Sequence, residues 1–192
     1  MEECQVNSRT SMHRHPAVFE RARDLIGSGR RRVLSFGCSS GEEVRSLREI
    51  GGPSWSVHGL EVKPELVAEA LDADPAGIYA ASARDLAPES YDGVFCMSVL
   101  CRFPDGSFSF QDFEEAAQVV CSFVVPKGLL VLYNAQYDLR ETRVGREDFE
   151  PVPEGQVRGG SGFVPKTRAD GRPVGEAEGR DMPLMFRRKG KT

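Results

Sequence analysis

Two short stretches of this 192-residue chain carry residue types able to hold a small ligand. The first is Gly37-Cys38-Ser39-Ser40-Gly41-Glu42-Glu43. Gly37 and Gly41 allow a tight turn and a close approach of ligand to backbone. Small Ser39 and Ser40 keep the floor of that turn low, and N–H groups of a helix starting behind it would face the ligand. The second is Glu61, 24 residues beyond Gly37 and directly after Val57-His58-Gly59-Leu60. A carboxylate at that place can accept both hydroxyls of a ribose. The pair therefore points to a nucleoside-bearing ligand. The dinucleotide fingerprint G-x-G-x-x-G needs a glycine where Ser39 stands, to make room for a pyrophosphate. A nucleoside without phosphate fits better, and no G-x-x-x-x-G-K-[S/T] loop occurs. A purely structural reading also exists. Ser40 and Glu43 have capping-box spacing, and acidic residues suit a helix N-terminus on charge alone.

These residues need strands and helices to position them. Pro16 to Ile26 reads as a helix with Val18, Phe19, Ala22, Leu25 and Ile26 on one side, closed by Gly27 and Gly29. Val33 to Phe36 reads as a strand running into the glycine turn, and about Gly41 to Ile50 as the next helix. The alternation continues with a strand at Ser56 to Leu60, a helix at Pro64 to Leu71, a weak strand at Ile78 to Ala80 and an apolar strand at Tyr91 to Met97. Phe110, Phe113, Ala117, Val120 and Val124 mark an amphipathic helix opened by Ser109 and Asp112 in capping-box spacing. Leu129 to Tyr133 is a fifth strand, introduced by Pro126-Lys127-Gly128. Strands alternating with helices predict an α/β fold, a mostly parallel twisted sheet flanked by helices. Residues 1–15 read as a polar arm and 141–161 as a mobile loop. Gly162 to Lys166 and Pro183 to Arg188 read as the two strands of a C-terminal antiparallel edge hairpin, with a disordered tail as the alternative.

Composition sets the boundaries. The length suits one domain, 1–192, large enough to fold without staples. A net charge of −4 argues against nucleic acid as a partner. The clusters Arg30-Arg31-Arg32 and Arg187-Arg188-Lys189 each abut a strand and read as solvated strand ends. Five cysteines, Cys4, Cys38, Cys96, Cys101 and Cys121, form no C-x-x-C pair, which predicts reduced thiols and a cytoplasmic setting. No run of 18 apolar residues exists, so no membrane segment is expected.

With the glycine turn, Glu61 and Tyr91-Asp92-Gly93-Val94-Phe95 in place, residues 10 to 135 resemble the class I S-adenosylmethionine (SAM)-dependent methyltransferases. The resemblance implies a Rossmann-like fold, with SAM as methyl donor and S-adenosylhomocysteine as product. It is nearest to the catalytic domain of the chemotaxis-receptor glutamate methyltransferases. Their first motif has Ser in place of the usual acid and ends G-E-E, as Ser35 and Gly41-Glu42-Glu43 do. They also carry T-x-x-x-R-x-P-x-x-F, matched by Thr10, Arg14, Pro16 and Phe19. The resemblance implies that Thr10 and Arg14 fold over the cofactor, Arg14 pairing with the methionine carboxylate as a planar fork. Glu42 would meet the methionine ammonium, and Glu61 with Val62 the ribose. Gly37, Cys38, Ser39 and Gly41 would form the turn. Ser82-Ala83 would border the adenine, and Met97, Ser98 and Val99 would lie near the sulfonium. Cys96-Met97-Ser98-Val99 replaces that group's C-R-N-V, and Gln118-Val119 stands where it carries arginines. A SAM site is therefore expected without a chemotaxis role. No [N/D/S]-P-P-[Y/F/W] motif of exocyclic-amine methylation follows the fourth strand.

Methyl transfer to SAM's acceptor is an in-line displacement and rests chiefly on alignment. Should the acceptor need a base, His15, Tyr133 and Asp138 are the candidates, although Tyr133 can simply pack and Asp138 can simply cap a helix. His13 and His15 lack the partners of a metal site, and no metal is expected. Cys101 reads as a packed thiol or an acceptor contact. Phe103, Phe108 and Phe110 read equally as core or as an apolar acceptor pocket. The expected activity is methylation of a small-molecule acceptor. In this reading 1–27 is an arm and helix covering the cofactor, and 135–161 a variable acceptor-side segment. The alternatives are a protein side-chain methyltransferase, a SAM-binding partner subunit without chemistry, and an NAD-binding oxidoreductase.

Overall fold

A computed structural model describes residues 10–102, 107–153, 162 and 164–190. Cys4 and Phe103 lie outside them. Helix α1 (Pro16–Ile26) leads to β1 (Arg31–Phe36), α2 (Glu42–Gly51), β2 (Trp55–Leu60), α3 (Pro64–Ala73), β3 (Ile78–Ala80) and β4 (Tyr91–Met97). Then follow α4 (Phe110–Ser122), β5 (Val124–Tyr133), α5 (Arg143–Asp148), β6 (Phe149–Pro151), α6 (Glu176–Arg180) and β7 (Met185–Arg188). The seven strands form one sheet in the order β3-β2-β1-β4-β5-β7-β6. β1 to β5 are parallel, with Val33 beside Val57 and Gly93, and Val94 beside Leu130. β7 runs antiparallel to β5, and β6 antiparallel to β7. Strand order reverses between β1 and β4, which opens a crevice beyond their carboxyl ends.

Alternating side chains feed two cores, one on each face. Leu34, Phe36, Val94, Cys96, Leu130 and Leu132 pack against Phe113, Ala117 and Val120 of α4. Val33, Val57, Phe95, Met97, Val131 and Tyr133 pack against Val18, Phe19 and Ala22 of α1 and Val44 and Leu47 of α2. Helix α1 lies so close to β4 that a Cβ at Gly93 would stand 2.5 Å from Ile26 Cδ1. The phenylalanine question resolves towards core. Phe108 is buried beside Phe113, and Phe110 packs edge-on against Tyr137. Cys101 is a buried thiol donating to Ser98 O.

Most of the expected elements are present, and the deviations have physical causes. β5 starts at Val124, because Pro126 to Gly128 is a bulge within the strand rather than a turn before it, with Lys127 at φ 65°. The C-terminal hairpin is corrected. Within 162–166 the described residues form no strand. Val164 N instead donates to Asn134 Oδ1, and Thr167 N to Gln136 O, so this segment docks on the chain leaving β5. The outer edge of β7 is taken by β6, which lies in the stretch expected to be a mobile loop. Buried Phe149 anchors it, and Pro151 is tolerated on an edge strand. Residues 139–151 are ordered by Thr142, whose hydroxyl accepts Gly145 N at the start of α5.

The basic clusters serve the protein itself. Arg31 pairs with Asp92 at 3.3 Å, and Arg32 lies 5.1 Å from the Tyr91 ring centre. Arg187 donates to Lys127 O and Leu25 O, and Arg188 pairs with Glu89 at 2.9 Å. Among the described residues no helix is long and apolar enough to cross a membrane.

The capping box of α4 forms as its spacing predicts: Asp112 N donates to Ser109 Oγ at 3.1 Å and Ser109 N to Asp112 Oδ2 at 3.3 Å. Ser109→Ala should cost about 1 kcal/mol. Phe113→Ala, which empties the centre of one core, should cost about 3–5 kcal/mol. Urea midpoints will measure both, with the slope of the transition unchanged.

Candidate functional site

The crevice between β1 and β4 is built around the loop from Gly37 to Gly41. Three of its five residues have left-handed backbone: Gly37 at φ 75°, Ser39 at 52° and Gly41 at 85°. The conformation alone favours glycine at 37, and space does too, since a Cβ there would meet Val99 Cγ2 at 2.5 Å. Gly37 N and Cys38 N both donate to Leu60 O, at 2.8 and 3.0 Å, which ties the loop to the end of β2. The next residue, Glu61, is 8% exposed. Its carboxylate accepts Ser39 N at 2.9 Å on Oε2, and Val62 N and Lys63 N at 2.9 and 3.1 Å on Oε1. Glycine turn and carboxylate are therefore directly bonded. A carboxylate has about four lone-pair sites. Three are taken by these N–H groups, which leaves about one open on Oε2.

Around this centre the other expected residues divide. Val99 packs against Gly37. Met97 ends β4, and Ser98 follows it at φ 61°, its N–H donating to Tyr133 O at 2.8 Å. Ser82 and Ala83 open a 3-10 turn after β3, and Ser82 Oγ already accepts Arg84 N at 3.2 Å. Glu61 N donates to Ala80 O, which ties the end of β3, just before this turn, to Glu61. Ser40 and Glu43 do not form a capping box. Gly41 caps α2 through its backbone, and Ser40 Oγ donates to Glu42 Oε2 at 2.9 Å. Glu42 Oε1 faces Arg45 at 3.5 Å, so Glu42 is turned along the helix surface.

Glu43 points inward instead and accepts Ser35 Oγ at 2.8 Å. Burial raises its pKa to about 8, against the opposing pull of Ser35 and Arg14. Burial, followed by the nearby Glu61 and Glu43, pushes the Cys38 thiol far up, so it is inert at neutral pH.

The arm is docked at Met12 and His13. His13 N donates to Ser46 Oγ at 2.9 Å, and its ring pairs with Glu49 at 3.0 Å. Thr10 is half-buried and Arg14 exposed, with Arg14 close enough to act on Glu43 and His15. His15 and Tyr133 stack with centres 4.3 Å apart at the end of β5. Burial and then Arg14 lower the His15 pKa to about 4, so its imidazole is neutral at pH 7.

Asp138 is engaged elsewhere. It caps a 3-10 turn through Arg140 N at 2.9 Å, and the Arg140 guanidinium clamps both its oxygens. That accords with the capping reading of Asp138 and leaves it poorly placed to take a proton.

Three residues escaped the sequence reading. Asn134 follows β5 at φ 56° and links Ser98 Oγ, at 3.0 Å, to Val164 N, also at 3.0 Å. An Asn ending a strand tolerates such a backbone, and that was a readable signal. Lys166 reaches Ala135 O, and burial lowers its pKa to about 8. Glu43 stands in the Gly41-Glu42-Glu43 run and in capping-box spacing, and neither signals its inward bond to Ser35.

The Glu43 shift has a measurable sign. A carboxyl whose folded pKa lies above its unfolded value keeps an extra proton in the native state, so stability falls as pH rises between the two. Glu43 should withdraw stability from the unliganded protein from about pH 4.5 to 8, while the lowered His15 acts in the opposite sense from about pH 4 to 6.5, so Glu43→Gln should remove the Glu43 loss and raise the melting temperature at pH 8. Thermal melts across this range will check it.

A family model described as a methyltransferase domain matches residues 34–132, just over half of the chain. No curated protein matches. Among solved structures, phosphoethanolamine N-methyltransferase 2 of Haemonchus contortus in complex with S-adenosyl-L-methionine is 21% identical at a TM-score of 0.48, over 65% of this chain and 29% of that one. A SAM-dependent methyltransferase of Mesorhizobium loti is 20% identical at 0.45, over 65% of this chain and 55% of its own. The YcgJ protein of Bacillus subtilis is 18% identical at 0.46, over 65% and 52%. The chain thus spans less than two thirds of each. With the family match reaching from Leu34 on β1 to Leu132 on β5, across the glycine loop and Glu61, the chain belongs to the methyltransferase domain family.

Proposed function

We propose that this domain transfers a methyl group from SAM to a small-molecule acceptor and releases S-adenosylhomocysteine. One observation carries the reading. The Glu61 carboxylate is held rigid by three backbone N–H groups on the rim of a loop too tight for any residue but glycine at 37. That pairing suits a ribose presented over a bare backbone floor, with no space reserved for a pyrophosphate. Bound SAM supplies an electrophilic methyl group on a sulfonium, whose departure as a neutral thioether needs no proton. The protein's task is then alignment and exclusion of water, worth roughly 7–11 kcal/mol in favourable cases.

In this reading the whole chain is one catalytic domain. The arm and helix 1–27 would cover the cofactor: Met12 and His13 are docked on Ser46 of α2, which supports Thr10 and Arg14 folding over the loop when the cofactor binds. The acceptor lies beyond the ends of β4 and β5. Ser98 and Asn134 hold strained backbone there, a feature that clusters at functional sites. The tilted His15–Tyr133 pair would form one wall, and residues 135–153 with docked Val164 and Lys166 the other. A neutral His15 can accept a hydrogen bond from an acceptor hydroxyl or amine, although a pKa near 4 makes it a weak base. The finer likeness to receptor-methylating enzymes rests on Thr10, Arg14, Ser35 and the Gly41-Glu42-Glu43 run alone.

Calorimetry with SAM tests this reading. The wild type should bind, and a 100-fold excess over Kd should add about 2.7 kcal/mol of stability. Glu61→Ala should weaken binding by one to two orders of magnitude, since hydrogen bonds to a charged group are worth about 1.5–3 kcal/mol. Glu61→Gln, which keeps the shape, should lose less. A wild type that does not bind SAM overturns the proposal.

A further inference from the structure

Among the described residues three large apolar side chains stand well out in solvent: Val62 at 42%, Leu71 at 41% and Ile78 at 53% exposure. All three lie between β2 and β3, at the β3 edge of the sheet. Val62 adjoins Glu61, so a nucleoside there would cover it. Leu71 and Ile78 lie at the other end of the unit, in the last turn of α3 and at the first residue of β3. The proposed cofactor site gives no reason for their exposure.

Helix α3 is poorly covered for so apolar a segment. Ala70 is its one buried residue, packed beside Gly41. Arg48 of α2 pairs with Asp74 at 2.8 Å, and Tyr79 donates to the same carboxylate at 3.2 Å, so the helix is fixed in place. Its outer surface carries two strips at helical spacing. Pro64, Ala68 and Leu71 form an apolar strip, and Glu65, Glu69 and Asp72, one residue on from each, form an acidic one. All six are exposed. Exposed Ala76 and Ile78 extend the apolar surface from the end of α3 to the unpaired edge of β3. Like charges three and four residues apart weaken a helix. Helix α3 has no basic residue in its last turn, and among the described residues no cation pairs with Glu65, Glu69 or Asp72. We propose that this face docks a partner protein through a basic amphipathic helix, whose apolar side covers the Leu71 strip and whose lysines or arginines meet the acidic strip.

Charge selects the occupant. Residues 62–90 hold six acidic and two basic side chains, a net of −4 that equals the net charge of the whole chain. A second copy meeting this face with its own would set acid against acid. The chain's basic clusters are engaged internally, Arg31 with Asp92, Arg187 with Lys127 O and Leu25 O, and Arg188 with Glu89. An acidic face also repels anionic lipid and nucleic acid. A basic polypeptide with an apolar stripe satisfies both strips at once. Helix α3 begins three residues after Glu61, on the side of the sheet away from β5, so a docked partner leaves the ends of β4 and β5 open. The inference stands independently of the SAM reading.

The test uses the full chain and a fluorescent synthetic helix of about 18 residues, five turns, with leucines on one face and lysines on the other. The wild type should bind it, and hydrogen exchange should slow across 64–78 on binding. Glu65→Lys/Glu69→Lys and Leu71→Ser should each weaken binding about tenfold or more, since opposed like charges and a lost apolar anchor are the costly changes at an interface. Glu20→Lys/Glu115→Lys makes the same change in net charge at exposed positions on α1 and α4 and should stay within about twofold. An analogue with glutamates in place of lysines should not bind. The exchange measurement on the wild type reads the site without any substitution and guards against a misfolded variant. No binding by the wild type overturns the proposal, as does protection confined to regions outside 64–78. An equal loss in Glu20→Lys/Glu115→Lys overturns it too, by marking unspecific charge attraction. Self-association in sedimentation that Leu71→Ser abolishes would give the face to a second copy. Binding to phosphatidylglycerol vesicles that Leu71→Ser abolishes would give it to a membrane, and either result overturns the assignment.

Discussion

The hydrogen bond from Ser39 N to Glu61 Oε2 joins the first strand's loop to the second strand's last side chain, and the site depends on that join. Leu60 O completes it by accepting Gly37 N and Cys38 N. Backbone N–H groups that would otherwise be orphaned at a sharp turn are thereby satisfied. The cost is local: three left-handed residues in five, one of them Ser39. The parallel register of β1 and β2, with Phe36 beside Leu60, is what brings the two chain segments level. A shift of one residue in that register would move the carboxylate to the other face of the sheet.

The same residue type takes on three characters within a few ångströms of that loop. Glu61 has its oxygens met by fixed N–H dipoles, Glu42 by a surface arginine, and Glu43 by a single hydroxyl in a crowded setting. Fixed dipoles that need no reorganisation suit a neutral ribose. Differences in burial and partner thus set three neighbouring glutamates apart.

On the other side of the switch point, the ends of β4 and β5 are held in strained conformations that the C-terminal segment supports. Asn134 bridges Ser98 and Val164, and Thr167 N returns to Gln136 O. Strand β6, antiparallel to β7, leads the chain back toward the carboxyl end of the sheet, and β7 starts from that end against β5. The described part of the tail is therefore docked at the ends of β4 and β5, and it spends charge on internal pairs such as Arg168 with Glu141.

The sequence by itself determined the alternation of strands and helices, the glycine turn and the carboxylate 24 residues beyond Gly37. Those features are local: period-2 and period-3.6 apolar patterns, capping residues such as Ser109 and Asp112, and glycines where the backbone turns left-handed. Only the tertiary structure decided the rest. Glu43's character comes from Ser35, eight residues away, and from burial that no local pattern encodes. The pairing of β7 with β6 rather than with 162–166 turned on Phe149 finding a place in the core and on Asn134 claiming Val164 N. Asp138 reads as a candidate base until Arg140 is seen across its carboxylate, and His15 as an ordinary histidine until Tyr133 and Arg14 close round it. Side-chain type and spacing are properties of the chain, whereas burial, partner and charge state belong to the packed fold.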